Sequence, residues 1–195
     1  MLYCVGPNTG SVEALGLLSK DGAVLLIIDI QEKLFPHMHK KEEVSKNVRR
    51  LIKFVKVVGI PIVLTEQYPK GLGRTIREIK ELIPEVKPIE KVEFSCLGSE
   101  EFRGALKRLD AKTLILTGIE THICVSQTAI EALDMGYGVH VVSDATSSRR
   151  EEDRTVGIER MRQGGAVISS TEMLIYEVLR RAGTKEFKEA LRLVK

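Results

Sequence analysis

Residues 23–29 read Ala-Val-Leu-Leu-Ile-Ile-Asp, an unbroken apolar run closed by a carboxylate. Polar residues do not alternate with apolar ones, so neither face of the segment is suited to water. Its length and branched side chains fit a strand buried on both faces, the signature of a parallel sheet. The segments downstream repeat the theme. Val44, Val48, Leu51, Ile52, Val55 and Val58 keep a helical spacing, Gly59 ends that helix, and Pro61 to Thr65 makes a second strand. Segments 87–92, 112–118, 138–142 and 166–169 read as four more strands. Helices are predicted over 99–109, with Ser99 as N-cap, and over 121–135 and 151–163; helices over 171–181 and 185–193 close the chain.

Strand and helix alternate through the whole length. Helical crossovers imply an α/β fold: a three-layer Rossmann-like sandwich with a six-stranded parallel sheet and helices on both faces. We read residues 1–195 as a single domain, with an N-terminal arm over 1–21, a short helix within it around 12–18, and a C-terminal helix over 184–195. Residues 66–87 form a long connection, and a loop of that length in a compact domain is usually functional. Ligands of such sheets bind outside the carboxyl ends of the strands, so chemistry is sought there.

Composition narrows the function classes. A chain of 195 residues buries enough surface to need no disulfide staple. The net charge is +3, and acidic and basic residues interleave, as in Arg149-Arg-Glu-Glu-Asp-Arg154. That pattern offers no one-signed track, so nucleic acid is not an expected partner. The longest apolar stretch, 23–28, is too short to span a bilayer, so no membrane is expected either. Cys4, Cys96 and Cys124 are odd in number and widely spaced, which fits a reducing cytoplasm and speaks against a structural zinc site. Neither G-x-G-x-x-G nor G-x-S-x-G is present.

Three residues at strand ends carry candidate chemistry. Asp29 comes directly after the first strand; desolvation there favours proton uptake and suits a general base, though the same position suits a turn former or a helix cap. Lys91 ends the third strand and reads alone as a solvated lysine. Cys124 falls in the first turn of the helix predicted after strand four. Orphan N–H groups there stabilise a thiolate, while a buried cysteine can also serve as a small hydrophobe. Taken together they make a thiol, a base for its proton, and a cation that sets the charge balance.

The surrounding motifs are specific. Leu26-Ile-Ile-Asp29-Ile-Gln31, Lys91 with Phe94-Ser95, Gly118-x-x-Thr121-x-x-Cys124-Val125, His140-Val-Val-Ser-Asp144-Ala145 and Glu159-Arg-Met161 occur in that order. They span about residues 22–180. The chain resembles the isochorismatase-like cysteine hydrolases, and most of all the isochorismatase-domain-containing subgroup, through Thr65-Glu-Gln-Tyr-Pro-Lys-Gly-Leu-Gly73 and Gly118-Ile-Glu-Thr-His-Ile-Cys124. The resemblance implies strand order 3-2-1-4-5-6, with Asp29 as base, Lys91 as its partner and Cys124 as nucleophile. It also implies a cis peptide between Ile119 and Glu120, an oxyanion hole made by the N–H groups of Glu120 and Cys124, and a homo-oligomer, dimer or tetramer. The segment 161–170 is apolar or small enough to meet a partner subunit.

The sequence also departs from its better-known relatives. Nicotinamidases carry an Asp-x-His metal site after strand two; here the stretch is Thr65-Glu66-Gln67-Tyr68, so no catalytic metal and no cofactor are expected. His37 and His39 are two apart and could form a surface pair or be solvated. Glu120 stands where a small residue is common, and a carboxylate there would discourage anionic substrates or pair with a cationic one. The pocket wall is expected to include Phe35, Gln67, Tyr68, Phe94 and Ile119, with His122 either lining it or on a helix surface and Cys96 near by. The expected activity is hydrolysis of a C–N bond, amide or carbamoyl, in a small molecule. Vinyl ether hydrolysis, or a binding scaffold that keeps the triad unused, are the alternatives.

Overall fold

The computed structural model describes residues 17–194. The arm and the short helix expected around 12–18 lie almost wholly outside the described residues, as does Cys4. Six parallel strands form one sheet: β1 (Ala23–Ile28), β2 (Ile62–Gln67), β3 (Ile89–Lys91), β4 (Thr113–Ile119), β5 (Gly138–Ser147) and β6 (Val167–Ser169), in the order β3-β2-β1-β4-β5-β6. Strand order reverses at β1, which has β2 on one side and β4 on the other. The carboxyl ends of β1 and β4 are therefore the natural binding crevice.

The apolar run of β1 explains the layers. Ala23, Leu25 and Ile27 face one core; Val24, Leu26 and Ile28 face the other. The first core is closed by α1 (Lys41–Val58), through Val48, Leu51, Ile52 and Val55, and by α7 (Thr171–Leu179) and α8 (Lys185–Val194). The second is closed by α4 (Glu100–Arg108), α5 (Ser126–Asp134) and α6 (Glu151–Gln163), through Phe102, Ala129, Ile158 and Met161. Each fully buried Leu, Ile or Phe contributes about 1.5–3 kcal/mol relative to exposure, so β1, buried along its whole length, anchors both layers.

Several boundaries differ from the sequence-based expectation. The loop after β2 contains two short helices, α2 (Pro69–Leu72) and α3 (Arg77–Lys80). β5 runs five residues past the expected end at Val142 and pairs Thr146 and Ser147 with Gly118 and Ile119 after a register shift. Its polar residues are tolerated because tertiary partners satisfy them: Asp144 Oδ1 accepts from the N–H and hydroxyl of Thr171 (2.8 and 2.9 Å). The helix expected over 121–135 is divided into a wide π turn, Thr121–Val125, and α5. Met161 and Ala166 point into the second core rather than toward a partner. Ser99 caps α4 as expected, its hydroxyl accepting from the N–H of Phe102 (3.4 Å).

Candidate active site

Asp29 sits directly after β1 and adopts a left-handed backbone (φ 53°). Such a conformation costs a non-glycine residue about 1–3 kcal/mol and persists where the surroundings fix it. The fixing contacts are visible: the Asp29 N–H donates to Thr65 O (3.3 Å) and the Thr65 hydroxyl donates to Asp29 Oδ1 (2.7 Å). The other carboxylate oxygen, Oδ2, accepts from Lys91 Nζ at 2.7 Å, and both side chains are fully buried.

Lys91 comes from the end of β3. Its ammonium also donates to Gln67 Oε1 (2.6 Å) and reaches the carbonyls of Glu93 (3.2 Å) and Phe94 (3.3 Å). Burial acts to lower the Lys91 pKa, but the Asp29 charge and the two neighbouring thiols outweigh it, and the net movement is upward. The lysine is therefore held as a cation.

Cys124 sits in the π turn after β4 and is 7% exposed. Burial first, then the charge and hydrogen-bond acceptance of Asp29, push its thiol well above the ordinary range, against the opposing pull of Lys91. The resting thiol thus keeps its proton and donates a hydrogen bond to the Asp29 carboxylate. The peptide between Ile119 and Glu120 is cis. The carbonyl of Glu120 is directed into the turn, where it accepts from the N–H groups of Ile123 (3.0 Å) and Val125 (3.2 Å). Cys96 is a second, fully buried thiol near by, raised to about 11 by burial; its Sγ lies 4.0 Å from the Thr65 hydroxyl.

The remaining expected residues separate into groups. Gln67 is buried with every polar atom of its side chain occupied: its Nε2 donates to Val92 O (2.8 Å) and its Oε1 receives Lys91, while its backbone N–H donates to Gln31 Oε1 (2.7 Å). It orients the lysine instead of offering a free group to a pocket. Phe35 packs against the core closed by α1. Tyr68, directly after β2, and Phe94, three residues past β3, are half-exposed, at 54% and 55%. Tyr68 borders an open groove of about 650 Å³ lined also by Lys91, Val92, Gly98 and Arg103. Ile119 is fully buried, and His122 Nδ1 meets the Ser148 hydroxyl at 2.9 Å.

Glu120 does not present a free charge. Its Oε2 accepts from both the backbone N–H and the Nε of Arg149 (3.2 and 3.1 Å), so the repulsion of anions expected from the sequence is neutralised internally. Where nicotinamidases place metal ligands, Glu66 accepts from the Thr75 N–H and hydroxyl (both 2.7 Å) and from Arg74 (3.0 Å). Three donors already engage that carboxylate, and among the described residues no group of three or more His, Cys, Asp or Glu side chains is gathered as a metal ion would require. Sequence reading missed Thr65, Arg149 and Thr128, whose hydroxyl links the Cys96 N–H to the Cys124 carbonyl. Only Thr65 carried a signal, a hydroxyl inside an apolar strand opposite Ile28.

A sequence model of the Isochorismatase domain matches residues 23–173. The chain belongs to the isochorismatase family. It is 39% identical over 181 residues to isochorismatase domain-containing protein 2 of Danio rerio, covering 92% of this chain and 90% of that one. Among solved structures, the MAR1 ribonuclease of Caenorhabditis elegans superposes with a TM-score of 0.85 at 36% identity, covering 91% of each chain. The YcaC gene product of Escherichia coli, described as an octameric hydrolase of unknown specificity, superposes with a TM-score of 0.82 at 26% identity, covering 91% of this chain and 86% of that one. The family and the fold together support a hydrolase. No helix among the described residues is long and apolar enough to cross a membrane.

Proposed function

We propose that this isochorismatase-family protein is a metal-independent cysteine hydrolase that cleaves a C–N bond, amide or carbamoyl, in a small molecule. The observation that carries the reading is the fully buried Lys91–Asp29 pair with the Cys124 thiol set against its carboxylate. Asp29 takes the thiol proton as sulfur attacks the carbonyl carbon. Lys91 stays charged and offsets the negative charge that moves from carboxylate to sulfur. The N–H groups of Glu120 and Cys124 are the proposed donors to the developing oxyanion. Collapse of the tetrahedral intermediate breaks the C–N bond, the amine leaves with the proton from Asp29, and a thioester remains. Asp29 then deprotonates a water that hydrolyses the thioester, releasing the acid and restoring the thiol.

Phe35, Gln67, Tyr68, Phe94, Ile119 and His122 enter the proposal differently. Tyr68 and Phe94 are the exposed aromatics suited to contact substrate; Gln67 is assigned to orienting Lys91, and Phe35, Ile119 and His122 to shaping the shell behind. Nucleic acid is no part of the reading, because acidic and basic residues interleave along the sequence, as in Arg149-Arg-Glu-Glu-Asp-Arg154. We place the protein in the cytoplasm, where the unpaired thiols Cys96 and Cys124 stay reduced, and as a homo-oligomer, dimer or tetramer. Exposed Val156, Met173 and Tyr176 offer apolar contact, and the E. coli neighbour is described as octameric.

The test is a screen of small amides, carbamoyl compounds and vinyl ethers with the Cys124→Ala variant beside the wild type. Hydrolysis of an amide or carbamoyl compound that disappears in the variant supports the mechanism. Hydrolysis of any hit at an undiminished rate in the variant sinks it.

A further inference from the structure

The turn that carries Cys124 belongs to no strand, yet it has to hold Sγ against the carboxylate of Asp29. Two contacts outside the triad fix it. Gly157 is buried in the middle of α6, next to exposed Thr155 and Val156. A Cβ added at Gly157 would stand 2.9 Å from His122 Cα, 3.0 Å from His122 N and 3.1 Å from the carbonyl carbon of Thr121. All three are backbone atoms of the turn, so no side-chain rotation makes room. Glycine in a helix interior is less favourable than alanine, and the close approach of this backbone supplies the reason for it here. A second contact comes from Ser148, fully buried just beyond β5. Its hydroxyl meets His122 Nδ1 at 2.9 Å, and its carbonyl accepts from the N–H of His39 (2.9 Å). His122 is thus held at its backbone by α6 and at its ring by Ser148.

We propose that Gly157 and Ser148 are positioning residues for the nucleophile: together they set the height of the turn and so the approach of Cys124 to Asp29. The inference rests on the triad reading, since it assigns a purpose to that approach. Both residues act through the turn and touch neither substrate nor reacting atoms. A methyl group at 157 pushes the turn away from α6. Loss of the Ser148 hydroxyl frees the ring that tethers it. Either change takes the thiol away from the carboxylate and from the burial that keep it protonated, so the thiol ionises more readily while losing its base.

The experiment measures iodoacetamide alkylation of the full-length chain, cysteine by cysteine, by peptide mass spectrometry from neutral to alkaline pH. The variants are Gly157→Ala and Ser148→Ala, with Thr155→Ala on the exposed face of the same helix as control. Expected is a rise of about tenfold or more in the Cys124 rate at neutral pH for Gly157→Ala, the equivalent of one pH unit of thiol acidity, and a smaller rise for Ser148→Ala. In both, the Cys124 profile moves to lower pH while buried Cys96 stays protected. A Cys124 rate and profile equal to wild type in the folded variants overturns the proposal. So does a rise of Cys96 in step with Cys124, which marks general opening. Ser148→Ala adds no volume and decides the matter should Gly157→Ala fail to fold. Asp29→Asn in the otherwise wild-type chain separates the two readings: an unchanged thiol there sinks the triad assignment but leaves any effect of Gly157 standing.

Discussion

Replacing Asp29 by Asn removes one charge and almost no volume, and the structure assigns that change two opposite consequences. In the folded protein Lys91 loses the partner at 2.7 Å but keeps Gln67 Oε1 and the Glu93 and Phe94 carbonyls. Removing one member of a buried pair costs about 3–5 kcal/mol, against a total stability of about 5–15 kcal/mol for a typical protein. The variant therefore folds with its melting temperature lowered by roughly 10 °C. The thiol moves the other way. Its proton is held by burial and next by the Asp29 charge, while Lys91 opposes both. Two unit charges about 4 Å apart interact by about 4 kcal/mol at an effective dielectric of about 20, and about 1.4 kcal/mol corresponds to a tenfold change in the thiolate fraction. Loss of the carboxylate charge thus raises that fraction at neutral pH by about two to three orders of magnitude. Asp29→Asn is expected to alkylate faster at Cys124 than wild type and to hydrolyse nothing, because a bare thiolate without its base cannot protonate the leaving amine. The assay pairs iodoacetamide kinetics at Cys124 with the substrate screen, both on protein shown folded by a cooperative melt. A folded Asp29→Asn protein whose Cys124 alkylates no faster than wild type refutes the charge argument.

Two further outcomes rest on the same geometry. Gly118→Ala places a Cβ 2.1 Å from Ile28 O at a backbone φ of +110°, so β4 can no longer lie against β1, and the variant is expected to lose soluble expression or its cooperative melt. His140 is 7% exposed and its pKa is lowered by burial, only partly countered by the charge of Glu177. A folded value below the unfolded one near 6.5 means that the unfolded state binds more protons, so this contribution is full above that pH and fades as pH falls through the folded value. His140→Leu is therefore expected to flatten the fall in melting temperature on acidification; a slope as steep as in wild type would show that other groups carry it.

The fold and much of the site were readable because both result from burial at strand ends. An uninterrupted apolar run such as 23–28 has one physical explanation, two covered faces, and the alternate assignment of its residues to two cores is what that run encodes. Asp29, placed directly after such a run, is by construction at the carboxyl edge, whereas Lys91 and Cys124 stood out through the motifs around them rather than by position alone. What the chain hid was every feature set by distant partners. The apolar pattern of β5 stops at Val142, yet the strand continues because Thr171 and Asn47 satisfy Asp144 from elsewhere. Helical periodicity over 121–135 does not distinguish a π turn from an α turn, so the wide turn beneath Cys124 left no trace. Gln67 is a residue type suited to a pocket, and only its contacts reveal that it is spent on Lys91, Gln31 and Val92. The pairing of Glu120 with Arg149 spans 29 residues with no periodicity to announce it, and it alters the chemistry most. Glu120 with Arg149, like Asp29 with Lys91, pairs opposite charges within hydrogen-bond distance, so the carboxylate that the sequence presents as a barrier to anions meets a compensating guanidinium.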